Sequence, residues 1–198
     1  MPRPKLRNAA LKATVLETAL KLLEAEGEAA CTTRRIARLA HTSPPAIYEL
    51  FGDKEGLIRA LFFEGFRMLG ERMLALPERD DPRANLEASM HAFRAFAHDH
   101  PALGELMFSR PFMAFVPDQA ELHAGDVMRR FLLKRVRQCI DAGVLAGDDT
   151  DIAHSLLAVA IGLATQERAG WLGSSTESMA RRWSLSISAL LDGLAPRD

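Results

Sequence analysis

Apolar side chains recur at helical spacing along almost the whole chain. Leu11, Val15, Ala19, Leu22 and Leu23 share one helix face, and Gly27 stands where a C-terminal cap belongs, so a first helix is predicted over about 8–26. Thr32 or Thr33 can cap a short second helix that carries Ile36, Ala37, Leu39 and Ala40. Ser43 can cap a third, in which Pro44 and Pro45 take the first positions, where an amide hydrogen has no intrahelical partner to lose. Asp53, with Glu55 in the next turn, opens a fourth along Leu57, Ile58, Leu61, Phe62, Phe66, Leu69 and Met73, fading near Leu76 and Pro77. After the break PERDDPR the spacing resumes at Leu86, Met90, Phe93 and Phe96, then in the short segment DHPALGELMF. A loose stretch, SRPFMAFVPD, precedes a long helix from Leu122 to Ala142 that Gly143 ends. Asp149 or Asp151 caps another through Ala169, and a last helix from Ser175 or Thr176 to Leu194 carries Met179, Trp183, Ile187, Leu190 and Leu191. No run alternates with period two long enough to argue for a strand.

The predicted fold is therefore all-α, about nine helices, with a boundary between residues 52 and 80. An N-terminal helix-turn-helix domain is assigned to residues 1–54 and a larger helical domain to 55–198. With 198 residues and 48% apolar side chains the chain can bury a sizeable core. Cys31 and Cys139 stand far apart, which leaves neither a disulfide framework nor a four-thiolate zinc site. The basic N-terminus lacks the apolar stretch of a secretory signal and nowhere do 18 apolar residues run together, so the expected location is the cytoplasm, without a membrane span. Charge is uneven: residues 1–60 hold 10 Lys or Arg against 7 Asp or Glu, while 61–198 hold 15 against 19. A basic end on an acidic body points to a polyanionic partner at that end.

Two short helices joined by a turn of about three residues are the arrangement that lays a recognition helix in the DNA major groove. Ser43, Pro44, Pro45 and Ala46 leave room for close approach to the groove floor, and their aliphatic parts suit thymine methyls while Ser43 can hydrogen-bond. Tyr48, one turn on, is placed for a phosphate, as are Lys54 and the amides at the start of the fourth helix, and Thr33 at the start of the second. Arg34, Arg35 and Arg38 add charge on the flank, while Ile36, Ala37, Ala40, Ile47, Phe51 and Leu57 are spaced to form the small core.

The series Thr33, Ile36-Ala37, Ala40, Ser43, Ile47-Tyr48, Phe51, Lys54 and Leu57 resembles the DNA-binding signature of the TetR family of bacterial transcriptional regulators, in order and without gaps. The likeness covers about 50 residues. It departs in two places: His41-Thr42 stands where the family usually has Gly-Val, and Leu50 where a histidine usually precedes the phenylalanine. Histidine is among the non-glycine residues enriched at positive φ, so the turn can survive. HAFRAFAHDHPALGELMF and the helix with AIGLATQE look like the WHG-type C-terminal ligand-binding and dimerisation domain of that family. This resemblance implies an intersubunit four-helix bundle built from the last two long helices, with Ala153, Leu156, Ala160, Leu163, Ala164, Trp183, Ile187 and Leu190 as interface candidates.

Met90, Phe93, Phe96, Met107, Phe108, Phe112, Met113, Phe115, Met128 and Phe131 could enclose an apolar cavity with adaptable walls, or be plain core. Arg94, His91 and His123 would be its polar handles. His98-Asp99-His100 reads as a helix end, since a closed metal site needs three or four converging ligands. Asp148, Asp149 and Asp151 read as capping and dipole partners, and Arg129, Arg130, Lys134, Arg135 and Arg137 as a solvated helix face. No phosphate loop, Gly-x-Ser-x-Gly turn or His-Glu-x-x-His occurs, so neither an enzyme nor a cofactor is expected. The resemblance implies a homodimeric repressor on a pseudo-palindromic double-stranded DNA operator, released by a small, largely apolar molecule. Two rivals are a regulator without effector, redox-sensing through a cysteine or constitutive, and a helical enzyme or binding module whose basic head is incidental.

Overall fold

The computed structural model describes residues 3–108 and 119–196, with side chains described over 8–108 and 126–196. Among them are nine α-helices and no strand: α1 (Arg3–Glu26), α2 (Thr33–Leu39), α3 (Pro44–Phe51), α4 (Lys54–Leu74), α5 (Pro82–Asp99), α6 (Pro101–Phe108), α7 (Gln119–Asp141), α8 (Asp149–Arg168) and α9 (Thr176–Gly193). A single 3₁₀ turn, Glu28–Ala30, links α1 to α2. No helix of the described residues is long and apolar enough to cross a membrane.

The helix starts follow the polar caps. Thr32 Oγ1 accepts from the Arg35 amide and Ser43 Oγ from the Ala46 amide, both at 3.4 Å. Asp53 Oδ1 accepts from Gly56 at 2.7 Å, and Ser175 and Ser178 form a reciprocal capping box on α9. One assignment shifts: α8 is capped by Asp148, whose carboxylate accepts from the Thr150 and Asp151 amides, while Asp149 and Asp151 lie in the first turn. Asp149 pairs instead with Arg137 of α7. The turn between α2 and α3 places His41 at φ +51°, the only non-glycine residue at positive φ among those described.

The chain forms two compact units. The first comprises residues through Phe66 together with α6 and the residue before it, His100. Here α1 packs against α2, α3 and α6, and the core consists of Val15, Ala19, Leu22, Leu23, Cys31, Ile36, Ala37, Ala40, Ile47, Leu57, Ile58 and Leu61 with Leu103, Leu106 and Met107 of α6. Two devices hold α6 in place. Glu24 of α1 accepts from the Ala102 and Leu103 amides at 3.1 and 3.0 Å, so a carboxylate meets the positive end of the helix dipole. Gly65 of α4 gives the second: a Cβ there would crowd the Met107 side chain, so glycine favours this close approach.

The second unit holds Arg67–Asp99 and the chain from α7 onward. Helix α5 packs against α7, α8 and α9, α7 against α8, and α8 against α9. Leu69, Met73, Leu86, Met90, Phe93, Phe96, Met128, Phe131, Val136, Leu156, Ala160, Trp183, Ile187 and Leu191 fill the space between them. The basic run on α7 is not wholly a solvated face. Arg135 shares the inward stripe with Phe131 and Leu132, is 4% exposed, lies over the Phe131 ring at 5.1 Å and reaches Glu78 at 3.2 Å. Arg129 and Arg130 pair with Asp126 in the ordinary exposed manner.

Both cysteines are fully buried, and burial pushes the Cys31 thiol up and the Cys139 thiol up to about 11. The thiolate is the reactive form. Iodoacetamide at pH 8 should therefore leave both thiols of the native protein unmodified and alkylate both once urea has unfolded it, as read by intact mass. His41→Gly should relieve the positive-φ strain, of about 1 kcal/mol, against a smaller gain in unfolded-chain freedom. The expected net is a stabilisation of about 0.5 kcal/mol, visible as a higher urea midpoint; a lower midpoint would show that the imidazole contributes more than its backbone costs.

Candidate nucleic-acid interface and effector region

Helix α3 has only eight residues, and its sidedness is sharp. Ile47 is buried at 1% exposure, Ala46, Leu50 and Phe51 are half-buried, and the opposite side consists of Pro45, Tyr48 and Glu49, all exposed. At 100° per residue these three span one arc of about 100°, centred opposite Ile47. Tyr48 is half exposed, an unusual setting for a large aromatic side chain with nothing to cover it. Ser43 is exposed with its hydroxyl turned to its own helix as a cap, and Pro44 is half-buried.

The surrounding charges sort themselves by partner. Arg34 and Arg38 are exposed on α2, and Lys54 is exposed at the start of α4. Arg35 is already taken: its guanidinium meets the Glu26 carboxylate through both Nη atoms, one of them at 2.7 Å. Lys12 of α1 lies 5.8 Å from the centroid of the Phe51 ring, a cation over an aromatic face at the end of α3. Thr33 is the exception among the residues predicted to touch DNA. Its side chain is buried at the first turn of α2, and Thr32 is the exposed one. The sequence pattern could not tell them apart, because either threonine can cap.

The predicted apolar pocket residues fall in both units. Met90, Phe93 and Arg94 of α5 and Met128 and Phe131 of α7 belong to the second, whereas Met107 and Phe108 of α6 belong to the first. Phe112, Met113, Phe115 and the side chain of His123 lie outside the described residues. Met90, Phe93, Met107, Met128 and Phe131 are buried, Phe108 and Arg94 are half-buried, and His91 is exposed. Arg94 makes a bidentate pair with Glu167 of α8, Nε to Oε2 at 2.8 Å and Nη2 to Oε1 at 2.6 Å. These hydrogen bonds hold the guanidinium charged despite its burial. Arg94 also sits 5.8 Å over the ring of Trp183, whose buried indole N–H has no hydrogen-bond partner among the described residues.

Of the residues predicted to meet a second subunit, Leu156, Ala160, Trp183 and Ile187 are buried at 1% exposure or less, and Ala153 is also closed off. These five fill the core of the single chain. Leu163, Ala164 and Leu190 are half-buried. The surfaces of α8 and α9 that remain open carry Ala158, Gly162 and Thr165, and Leu185 and Ala189. Leu185 is 66% exposed, and a Cβ on Gly162 would meet nothing within 4 Å. Apolar periodicity found the inward stripe because that stripe is the more hydrophobic; the small residues on the outer face carry little signal of their own. No group of three or more potential metal ligands occurs among the described residues. Of the His98-Asp99-His100 cluster, Asp99 is bonded to Arg72 at 2.6 Å.

Comparison with known proteins matches both parts of the chain. Residues 15–61 match the model of bacterial regulatory proteins of the tetR family, and residues 86–190 match the tetracyclin repressor-like C-terminal domain. The class C tetracycline repressor protein of Escherichia coli is 28% identical over 166 residues, and the class A protein from transposon 1721, also of Escherichia coli, 28% over 159. These stretches cover 78% and 79% of this chain but 65% and 67% of those relatives, so the chain spans about two thirds of their length. A structure of a protein with unknown function from Rhodococcus sp. RHA1 superposes with a TM-score of 0.79 at 28% identity, over 94% of this chain and 96% of that one. A TetR variant from Acinetobacter baumannii AYE in complex with minocycline shares the fold, with a TM-score of 0.66 at 20% identity over 91% and 94%. With both its helix-turn-helix head and its helical body matched, the chain belongs to the TetR family of bacterial transcriptional regulators.

Proposed function

We propose that the chain is a ligand-responsive repressor that binds a pseudo-palindromic operator as a homodimer in the cytoplasm. The observation that carries the reading is the bare arc of α3: Pro45, Tyr48 and Glu49 project from a helix anchored on its other side by Ile47, beside the exposed cations Arg34, Arg38 and Lys54. Two such helices in a two-fold dimer meet two equivalent half-sites in successive major-groove turns. Residues 1–54 carry the reading surface and 55–198 the response, with α4 through Phe66 and α6 packed in the same compact unit as the reading surface. Dimerisation through α8 and α9 is supported by their open small-residue face, with Leu163, Ala164 and Leu190 at its margin.

The effector reading rests on the second unit. Met and Phe side chains can repack around a guest, and the indole N–H of Trp183 offers an unused donor beside the neutralised Arg94–Glu167 pair. A guest must bind a state unable to match the half-sites better than it binds the DNA-bound state. The buried, protonated thiols give no support to redox sensing.

Selection of bound fragments from genomic DNA at two salt concentrations tests the reading. Recovery of a two-fold motif supports it, and no enrichment at either salt refutes it. On that motif, Tyr48→Ala with Lys54→Ala should weaken binding at least tenfold and lower the log–log salt slope by roughly 2, one lost cation per half-site. Arg35→Ala should leave the slope unchanged, because Glu26 already occupies that guanidinium. Gly162→Asp with Leu185→Asp should convert the dimer to a monomer in light scattering without loss of helicity. Among lipophilic compounds that release the operator, quenching of Trp183 fluorescence in a Trp171→Phe background would place the guest in the second unit; release by none would leave the effector out of the account.

A further inference from the structure

The exposed arc of α3 contains very little that can form a hydrogen bond. Pro45 has no donor, and the Ser43 hydroxyl, which accepts from its own helix, keeps its proton to donate. The other polar groups are the Tyr48 phenol and the Glu49 carboxylate, of which only the carboxylate is purely an acceptor. Glu49 is exposed, and among the described residues it forms no hydrogen bond and no ion pair, whereas Asp53 caps Gly56 and Glu26 holds Arg35; the other unpaired acid nearby, Glu55, lies on α4 rather than on the arc of α3. An uncompensated carboxylate thus stands on the face of the head that approaches a polyanion, flanked by the cations that draw that polyanion in. Repulsion from phosphates makes this placement costly unless the carboxylate reaches a donor.

The major groove supplies few donors. Only the amino groups of cytosine N4 and adenine N6 donate there. Adenine N6 lies between two acceptors, its own N7 and the thymine O4 of its pair, and both repel a carboxylate. Cytosine N4 has an acceptor on one side only, the guanine O6 of its pair, with the C5 hydrogen on the other. We infer that Glu49 is a specificity-determining residue that selects a C·G pair in each half-site by accepting a hydrogen bond from cytosine N4. The inference rests on the DNA-reading role proposed above for α3. It assigns the polar part of the recognition to Glu49, leaving Pro44, Pro45 and Ala46 for thymine methyls.

The test is selection from a random duplex library by the full-length wild-type chain and by Glu49→Ala, Glu49→Gln and Glu55→Gln. Glu55 is an exposed acid of the same head that lies on α4, which makes its variant the control for a simple change of charge. Wild type and Glu55→Gln should share a fixed C·G pair at one position of each half-site. Glu49→Ala should lose the preference at that position alone, and Glu49→Gln should shift it toward A·T, since an amide can pair with adenine N6 and N7 together. On the wild-type motif Glu49→Ala should bind about tenfold more weakly per half-site, and on unrelated DNA more tightly. Identical motifs from wild type and Glu49→Ala, or tighter binding of the wild-type motif by Glu49→Ala, would overturn the inference and make the carboxylate merely repulsive. A wild-type chain that selects no motif would instead refute the operator-binding reading itself, so the two failures are distinguishable.

Discussion

An eight-residue helix is not stable by itself in water, because nucleation costs more than so few hydrogen bonds return. The recognition helix of this protein exists only through what is fixed at its edges. Ser43 holds its first turn, two prolines pre-set the backbone angle there, and Ile47 is sunk into the core that α1 and α2 provide. One buried side chain and one cap suffice to hold it, and that economy leaves a whole arc of α3 uncommitted. The functional surface is what remains after the minimum needed for stability has been met. The same logic explains why His41 is tolerated at positive φ: the angle between α2 and α3 must be kept, and the packing of Ile36, Ala40 and Ile47 holds the turn in that conformation.

The burial of charge differs between the two compact units. Among the described cations of the head most are exposed, and Arg35 and Arg59 are half-buried. In the second unit Arg94 and Arg135 are drawn inward, each against an aromatic ring and a glutamate. A paired internal charge of this kind adds little net stability, yet removing one partner strands the other. The pairing therefore specifies how α5 meets α8, and how α7 meets the segment before α5, more than it strengthens either contact.

The head was the more legible part of the sequence. Thr32, Ser43 and Asp53 are the caps their residue types suggested, Ser175 opens the last helix, and most of the apolar residues from Val15 to Leu61 that follow helical spacing are its core, while Leu39 is exposed and Phe51 half-buried. Short local signals sufficed there because caps and turns are decided within four residues of chain. The second unit was harder to read. The stripe with Leu156, Ala160, Trp183 and Ile187 is strongly apolar, but periodicity cannot say whether it faces its own chain or another, and the structure turns it inward. Arg135 lay in a run of cations, and only the long-range approach of Glu78 distinguishes it. Asp148 prevailed over its neighbours as a cap because Asp149 is held by Arg137, again a partner distant in sequence.

The position of α6 has a consequence for how such a protein can be assembled from parts. By its contacts α6 belongs with the head, though its sequence neighbours α5 and α7 belong to the other unit, so the polypeptide passes from one unit to the other more than once. The Glu24 carboxylate and the gap at Gly65 are shaped for α6 alone. Heads and bodies in this architecture are therefore not interchangeable beads on a string. A recombination event that joined a new body at the end of the helix-turn-helix would leave the negative charge of Glu24 without its two amides. It would also strip the cover provided by Leu103, Leu106 and Met107 from the apolar surface beneath. Successful exchanges must carry the distant helix along or rebuild its seat, which ties the evolution of the DNA-reading end to that of a segment some forty residues further down the chain.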